Sequence, residues 1–254
     1  MEKKSIVLII FILVTFIFCA QPINQLDEKG KKQGVWKVNY PKSKAFIYVG
    51  EFKDDVPIGT FTYYYPSTKT KAQIVHDKKG VRSVAVFYHE NGAIMSKGIY
   101  KNQKKDSIWL NYGPSGRISF KENYINGKLH GQKIIYYVPE DPNDNSKNIA
   151  RIENYQNDAL HGEVKEFFDF GVVKLTGKYV NGKKEGKFIT NHINGKPMSI
   201  ELYKNGVKHG FSIGYDENGK ELGRRYYKNG KELIEKELDS WLNYCKQNGI
   251  SPND

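Results

Sequence analysis

The chain has 254 residues, a formal net charge of +12, 39% hydrophobic residues, and 18 Tyr and 13 Phe but only two cysteines. So many aromatics in a chain of negative mean hydropathy suit a thin sheet better than a thick aliphatic core. Two cysteines exclude a disulfide framework, and lysines interleaved with acids at nearly every turn describe a solvated surface, not a block for nucleic acid.

In chain order, Lys3 and Lys4 precede an apolar run over residues 6–18 broken only by Thr15. A helix of that length rises about 20 Å, short of a bilayer core of roughly 30 Å, so residues 1–20 read as an export signal. Two processing sites fit. Residues 16–19 resemble a lipobox, which would leave a lipidated Cys19 as a membrane tether. Cleavage after Ala20 would instead leave a free Gln21. Phe18 is bulkier than either site prefers. By either route the mature chain has no intramolecular disulfide, and losing Glu2, Lys3 and Lys4 takes the charge from +12 to +11. The expected location is the cell envelope, lipid-anchored, periplasmic or secreted.

Residues 27–230 repeat. Aligned on Phe52, His76, Tyr100, Tyr124, Tyr155, Tyr179, Tyr203 and Tyr227, which we term anchors, the steps are 24 residues except Tyr124 to Tyr155, which is 31. The surplus falls in a Pro/Asn/Asp-rich loop at residues 139–146, and a degenerate first unit begins near Asp27. A turn follows each anchor, as in YINGKLHG from Tyr124 and YKNGVKHG from Tyr203. A small residue stands seven after it (Gly59, Ser83, Ser107, Gly131, Gly162, Gly186, Gly210; Gly34 in the first unit) and usually an aromatic twelve after it. A second turn follows, as at Asn91-Gly92 and Asn218-Gly219. Asn-Gly supplies the positive φ of tight reversals, and the five- to eight-residue β-branched and aromatic runs between them are strands. Two reversals per unit predict two antiparallel strands per unit, and stacked units predict one long twisted all-β sheet of about eight hairpin repeats. Gly80, in the degenerate His76 unit, is expected to be less constrained than Gly182.

The Y-x-N-G-K-x-x-G pattern resembles the MORN repeat variant of bacterial proteins of the YwqK-type antitoxin kind. The resemblance covers about residues 27–231 and is fullest from Tyr124 to Lys231. It implies a hairpin scaffold that binds protein or phospholipid, and it specifies fold far better than function.

Residues 231–247 read as an amphipathic helix, with Leu233, Ile234, Leu238, Trp241, Leu242 and Cys245 on one side and Asn248-Gly249 as its stop. It is expected to cap the open end of the array, with docking to a partner as the alternative.

No pattern carries catalysis: no nucleophile elbow, H-E-x-x-H pair or phosphate loop is present. His130, His161 and His209 share one offset, but equivalent positions in adjacent units lie roughly 10 Å apart, too far to share a metal. No catalytic, cofactor or metal residue is therefore assigned, and no small-molecule substrate or nucleic-acid partner is expected. The expected function is an exported scaffold for a protein or envelope polymer. The alternatives are an antitoxin or immunity protein that occludes a toxin, and a peripheral binder of anionic membranes.

Overall fold

A computed structural model of the chain describes residues 22–139, 141 and 146–253. The expected export signal, with Cys19, lies outside the described residues, as do residues 140 and 142–145 of the inserted loop. Among the described residues, 21 strand segments and one C-terminal helix form an open antiparallel sheet in which each strand pairs with its neighbours in the chain. Lys128–Leu129, Ala159–Leu160 and Val207–Lys208 are only the openings of strands that resume one residue later. The 21 segments less these three make 18 passes of the chain, a contour of roughly 80 Å at 4.8 Å per strand.

The two edges of the sheet turn by different means. At the edge beside the anchors, seven tips are two-residue turns with both residues at positive φ: Asp54-Asp55, Asn102-Gln103, Asn126-Gly127, Asn157-Asp158, Asn181-Gly182, Asn205-Gly206 and Asn229-Gly230. Their φ values of 48–53° and then 62–90° match the twist of the strands they join. At the other edge one residue of each tight turn is left-handed, Lys42 and Thr68 in the first two and glycine in later ones. Gly92, Gly116, Gly171, Gly195 and Gly219 have φ of 80–90°, and each donates its N–H to the carbonyl three residues back. Asn91 and Asn194 there work through the side chain, Oδ1 accepting from the N–H of Ala93 (3.0 Å) and Lys196 (3.0 Å). One dipeptide thus serves two turn geometries.

That second edge is also stitched from unit to unit. The hydroxyls of Tyr40, Tyr65 and Tyr137 donate to the carbonyls of Tyr64 (2.8 Å), Tyr88 (2.7 Å) and Phe167 (2.6 Å), one unit on. His89 and His192 do the same through Nε2 to Tyr112 and Tyr215, both at 3.0 Å.

In the His76 unit the anchor-side loop is longer. Asp77 gathers the N–H groups of Lys79, Val81 and Arg82 at 2.9–3.1 Å, and Gly80 takes φ 68°. A Cβ on Gly80 would overlap Val56 Cγ1, whereas one on Gly182 would meet open space. Gly80 is therefore at least as constrained as Gly182, contrary to the reading from its degenerate sequence.

Both ends of the sheet are partly covered. At one end the short strand Gln25–Leu26 pairs with Lys32–Asn39, and the Asn24 side chain extends that cover: Nδ2 donates to the Lys37 carbonyl (3.0 Å) and Oδ1 accepts the Lys37 N–H (2.8 Å). At the other end the helix is shorter than its sequence pattern. Lys231–Leu233 form a last strand on the Asn229-Gly230 turn, pairing Tyr226 with Leu233, and the helix runs Glu235–Asn248. Leu233 and Ile234 therefore leave the helix's apolar side, because the two-residue turn commits the chain to a hairpin before a helix can begin. Gly249 ends the helix at φ 63°, its N–H donating to the Cys245 carbonyl.

The helix lies on the last hairpin. Trp241 Nε1 donates to the Tyr226 hydroxyl at 2.5 Å, that hydroxyl donates to the Pro252 carbonyl, and Tyr226 and Cys245 are each 1% exposed. The Leu238→Ala/Trp241→Ala double variant should lose about 2 kcal/mol or more per side chain, since large-to-small changes at packed sites cost that much. Limited proteolysis should then cut first between Tyr203 and Tyr227. An unchanged digest would mean that the helix is no cap.

Candidate interaction surface

Each unit's geometry turns on a bulge. Between the pairs Lys97–Leu110 and Ile99–Asp106, Gly98 alone faces Ser107, Ile108 and Trp109. The same shift recurs at Gly50 and Gly177. The small residue seven after the anchor makes the bulge by taking a left-handed φ, 60–110° at Gly34, Gly59, Ser107, Gly131, Gly162, Gly186 and Gly210. The bulge swings the residue nine after the anchor across the neighbouring strand.

What it lands on comes in two chemistries. Where the residue two before the anchor is glycine, a ring lies against its backbone: Phe61 over Gly50, Trp109 over Gly98 and Phe188 over Gly177, each 1–3% exposed. Anchor rings flank it edge-on, with Phe52–Phe61, Tyr100–Trp109 and Phe188–Tyr203 centroids at 5.0–5.1 Å. A lysine covers two of the three, Lys105 at 4.5 Å from Trp109 and 4.8 Å from Tyr124, Lys184 at 4.7 Å from Phe188 and 4.5 Å from Tyr203.

Where that residue is Glu122, Glu153 or Glu201, it accepts the hydroxyl of anchor Tyr124 (3.0 Å), Tyr155 (2.8 Å) or Tyr203 (2.9 Å). Each glutamate also holds a cation: Lys133 at 3.2 Å, Arg151 at 2.8 Å and Lys208 at 2.6 Å. Burial, then the adjacent glutamate, pushes the Tyr155 and Tyr203 phenols up to about 12. These anchor-side groups form one face of the sheet, and they are largely spent on one another.

The His76 unit departs from both. Its strands pair without a bulge from Ala72–Phe87 to His76–Ser83, Ile74 stands in place of the glycine and Ala85 in place of the ring. The Ser83 hydroxyl instead meets His76 Nδ1 at 2.8 Å. A cavity of about 520 Å³ opens there, lined by Phe52, Phe61, Ile74, His76 and Tyr100 among others.

The opposite face is less satisfied. Residues one before and eight after an anchor point to it, by strand alternation. Val75 pairs with Val84 and Val84 with Ile99 across adjacent strands, and Ile108 follows on the next. Val75 is 49% exposed, Val84 40% and Ile108 45%. In the last units the same two positions are Phe211 and Tyr226, and there the chain's own helix lies over Tyr226.

The histidines six after the anchor are not brought together. His161 and His209 each accept an N–H at Nδ1, from Asn181 (3.4 Å) and Asn229 (3.3 Å), at the tip of the next turn. Among the described residues no three His, Cys, Asp or Glu side chains are placed to hold a metal ion. The sequence reading missed the ring position nine after the anchor, having followed the half-buried aromatics twelve after it. The signal was present: Gly50, Gly98 and Gly177 recur with Phe61, Trp109 and Phe188, and glutamate recurs without a ring.

A row of bulged two-stranded units, each burying its ring or ion cluster against the next, defines a tandem hairpin-repeat sheet. The repeats are MORN repeat variants: that family's profile matches residues 84–102 and 160–181, each match ending at an anchor-side tip, and the chain is a MORN-repeat variant protein. No curated protein matches the chain. Among solved structures, the Photorhabdus luminescens Tc holotoxin pore shows 10% identity and a TM-score of 0.19 over 80% of this chain. This chain spans 12% of that one.

Two outcomes test the site's construction. Gly98→Ala should cost about 3 kcal/mol or more by urea denaturation, because its Cβ would overlap the Trp109 ring. Gly214→Ala, where a Cβ meets nothing and φ is ordinary, should cost far less. Equal losses would refute the ring-on-glycine contact. The second outcome concerns His76, whose pKa burial lowers against the opposing charge of Asp77. The unfolded chain then binds the proton more readily, so stability should fall as pH drops below about 6.5, and His76→Phe should flatten that slope in pH-resolved melts.

Proposed function

We propose that this chain is an exported, non-enzymatic, envelope-associated scaffold that binds a protein or envelope polymer on the face opposite its anchors. MORN repeats commonly serve protein or membrane binding, and one observation carries the choice of face: Val75, Val84 and Ile108 stand 40–49% exposed in one cross-strand row. An apolar row open to water on an otherwise polar sheet marks a contact surface. Export rests on the apolar run at residues 6–18, and a tether would rest on Cys19.

A toxin is one protein such a face could occlude, the antitoxin or immunity reading that the family resemblance brings. Peripheral binding to anionic lipid draws on the +11 charge of the processed chain. Against it, Lys105 and Lys184 are committed to their own rings.

The test is a crosslinked pull-down from envelope fractions with the Val75→Lys/Val84→Glu variant, whose opposed charges can pair across the strands. The variant should melt within about 1 kcal/mol of the parent, as exposed substitutions do, and lose its partner at least tenfold. Retained capture would refute the face. Salt-sensitive binding of the parent to anionic vesicles, unaffected by the variant, would favour the lipid reading.

A further inference from the structure

The repeat lets one part of the molecule show what fits another. In the last hairpin, the positions one before and eight after an anchor are Tyr226 and Phe211, packed edge-on at 5.0 Å. The chain's own helix covers Tyr226, and the segment after it reaches Phe211: Trp241 Nε1 donates to the Tyr226 hydroxyl, Cys245 is 1% exposed, and Asn253 Oδ1 accepts the Phe211 N–H at 3.3 Å. One residue after the anchor, Lys228 lays its ammonium 3.4 Å from the Trp241 ring centroid, and Lys231 pairs with Glu237 of the helix at 2.9 Å.

The equivalent positions around Tyr100 are also apolar, aliphatic in place of aromatic, and lack the helix. One before the anchor is Ile99, the counterpart of Tyr226, and its cross-strand partner Val84, eight after the preceding anchor, is the counterpart of Phe211; one after the anchor is Lys101, the counterpart of Lys228, and Ile108 continues the row on the next strand. Val75 and Val84 extend the apolar row into the preceding unit. Toward Tyr155 the row stops, because the two positions become Asn123 and Gln132 and then Asn154 and Glu163. The open patch is therefore short, a few strands wide, and bordered by the cations Lys97, Lys101 and Lys121. At about 4.8 Å per strand, the five strands from the one bearing Val75 to the one bearing Ile125 span roughly 20 Å, the length of a helix of three to four turns.

We infer that the Val75–Val84–Ile99–Ile108 patch docks an acidic amphipathic helix of a partner protein, an aromatic side chain on that helix seating beside Lys101 as Trp241 does beside Lys228. A helix suits this face because it satisfies its own backbone and needs only an apolar stripe, whereas an added strand would need a free sheet edge, and the strands bearing Val75, Val84, Ile99 and Ile108 are paired on both sides. The cations at the border select acidic flanks, as Glu235, Glu237 and Asp239 flank the stripe of the chain's own helix.

This inference rests on the face proposed above and is tested apart from it. The probe is a synthetic peptide of residues 233–253, titrated onto the full processed chain with amide shifts read residue by residue. Saturable shifts at Val75, Val84, Ile99 and Ile108 are expected. They should weaken at least tenfold with Val75→Lys/Val84→Glu, weaken severalfold with Lys101→Glu, and vanish for a peptide of the same composition in scrambled order. Shifts confined to Tyr226 and Phe211 would mean that the peptide only exchanges with the resident helix, and the inference fails. Equal binding of the scrambled peptide, or none of either, also overturns it. A partner still captured by the parent and lost by the valine variant would then leave the proposed face standing without a helix as its occupant.

Discussion

A ring pressed flat onto a glycine of the next strand is the contact from which much of this sheet follows. A single layer has no second layer to bury aromatic side chains, so each must find cover within the sheet. Phe61, Trp109 and Phe188 do so by leaning over Gly50, Gly98 and Gly177, which no side chain could occupy without collision. The lean requires surplus backbone, and the left-handed residue seven after the anchor supplies it. In the ring units ring, glycine and bulge act as one device, and the ion units keep the bulge with a glutamate in place of the glycine. The His76 unit shows this by losing all three together, its strands pairing in plain register with Ala85 opposite Ile74.

The ion clusters solve the same problem with different chemistry. A glutamate beneath an anchor tyrosine would be costly alone, but Glu122 and Glu153, each 7% exposed, meet a phenol and a cation. A buried group paired on both sides also specifies its partner, so ring units and ion units resist slipping by one repeat past each other. The irregular order of the two along the array distinguishes units that a uniform repeat would leave interchangeable.

Because the anchor face uses its rings, lysines and carboxylates internally, the proposed recognition falls to the other face. There the residues one before and eight after each anchor vary from valine and isoleucine through asparagine and lysine to tyrosine and phenylalanine. The helix at the C-terminus closes the face where it is most aromatic, and the middle units leave it open where it is aliphatic.

The 24-residue period, the two reversals in each unit and the antiparallel sheet were legible in the residues, because Asn-Gly and strand composition act locally and report the same fold wherever they recur. The C-terminal helix was legible for the same reason, though not its start: the pull of the Asn229-Gly230 hairpin on Lys231–Leu233 is a pairing across strands, invisible to helical periodicity. The two turn geometries that share Asn-Gly, the bulge behind the small residue and the choice of buried ring were decided only in three dimensions. Each depends on which residue faces which across a strand pair, and two surplus residues at the bulge shift that pairing in a way that spacing along the chain does not record.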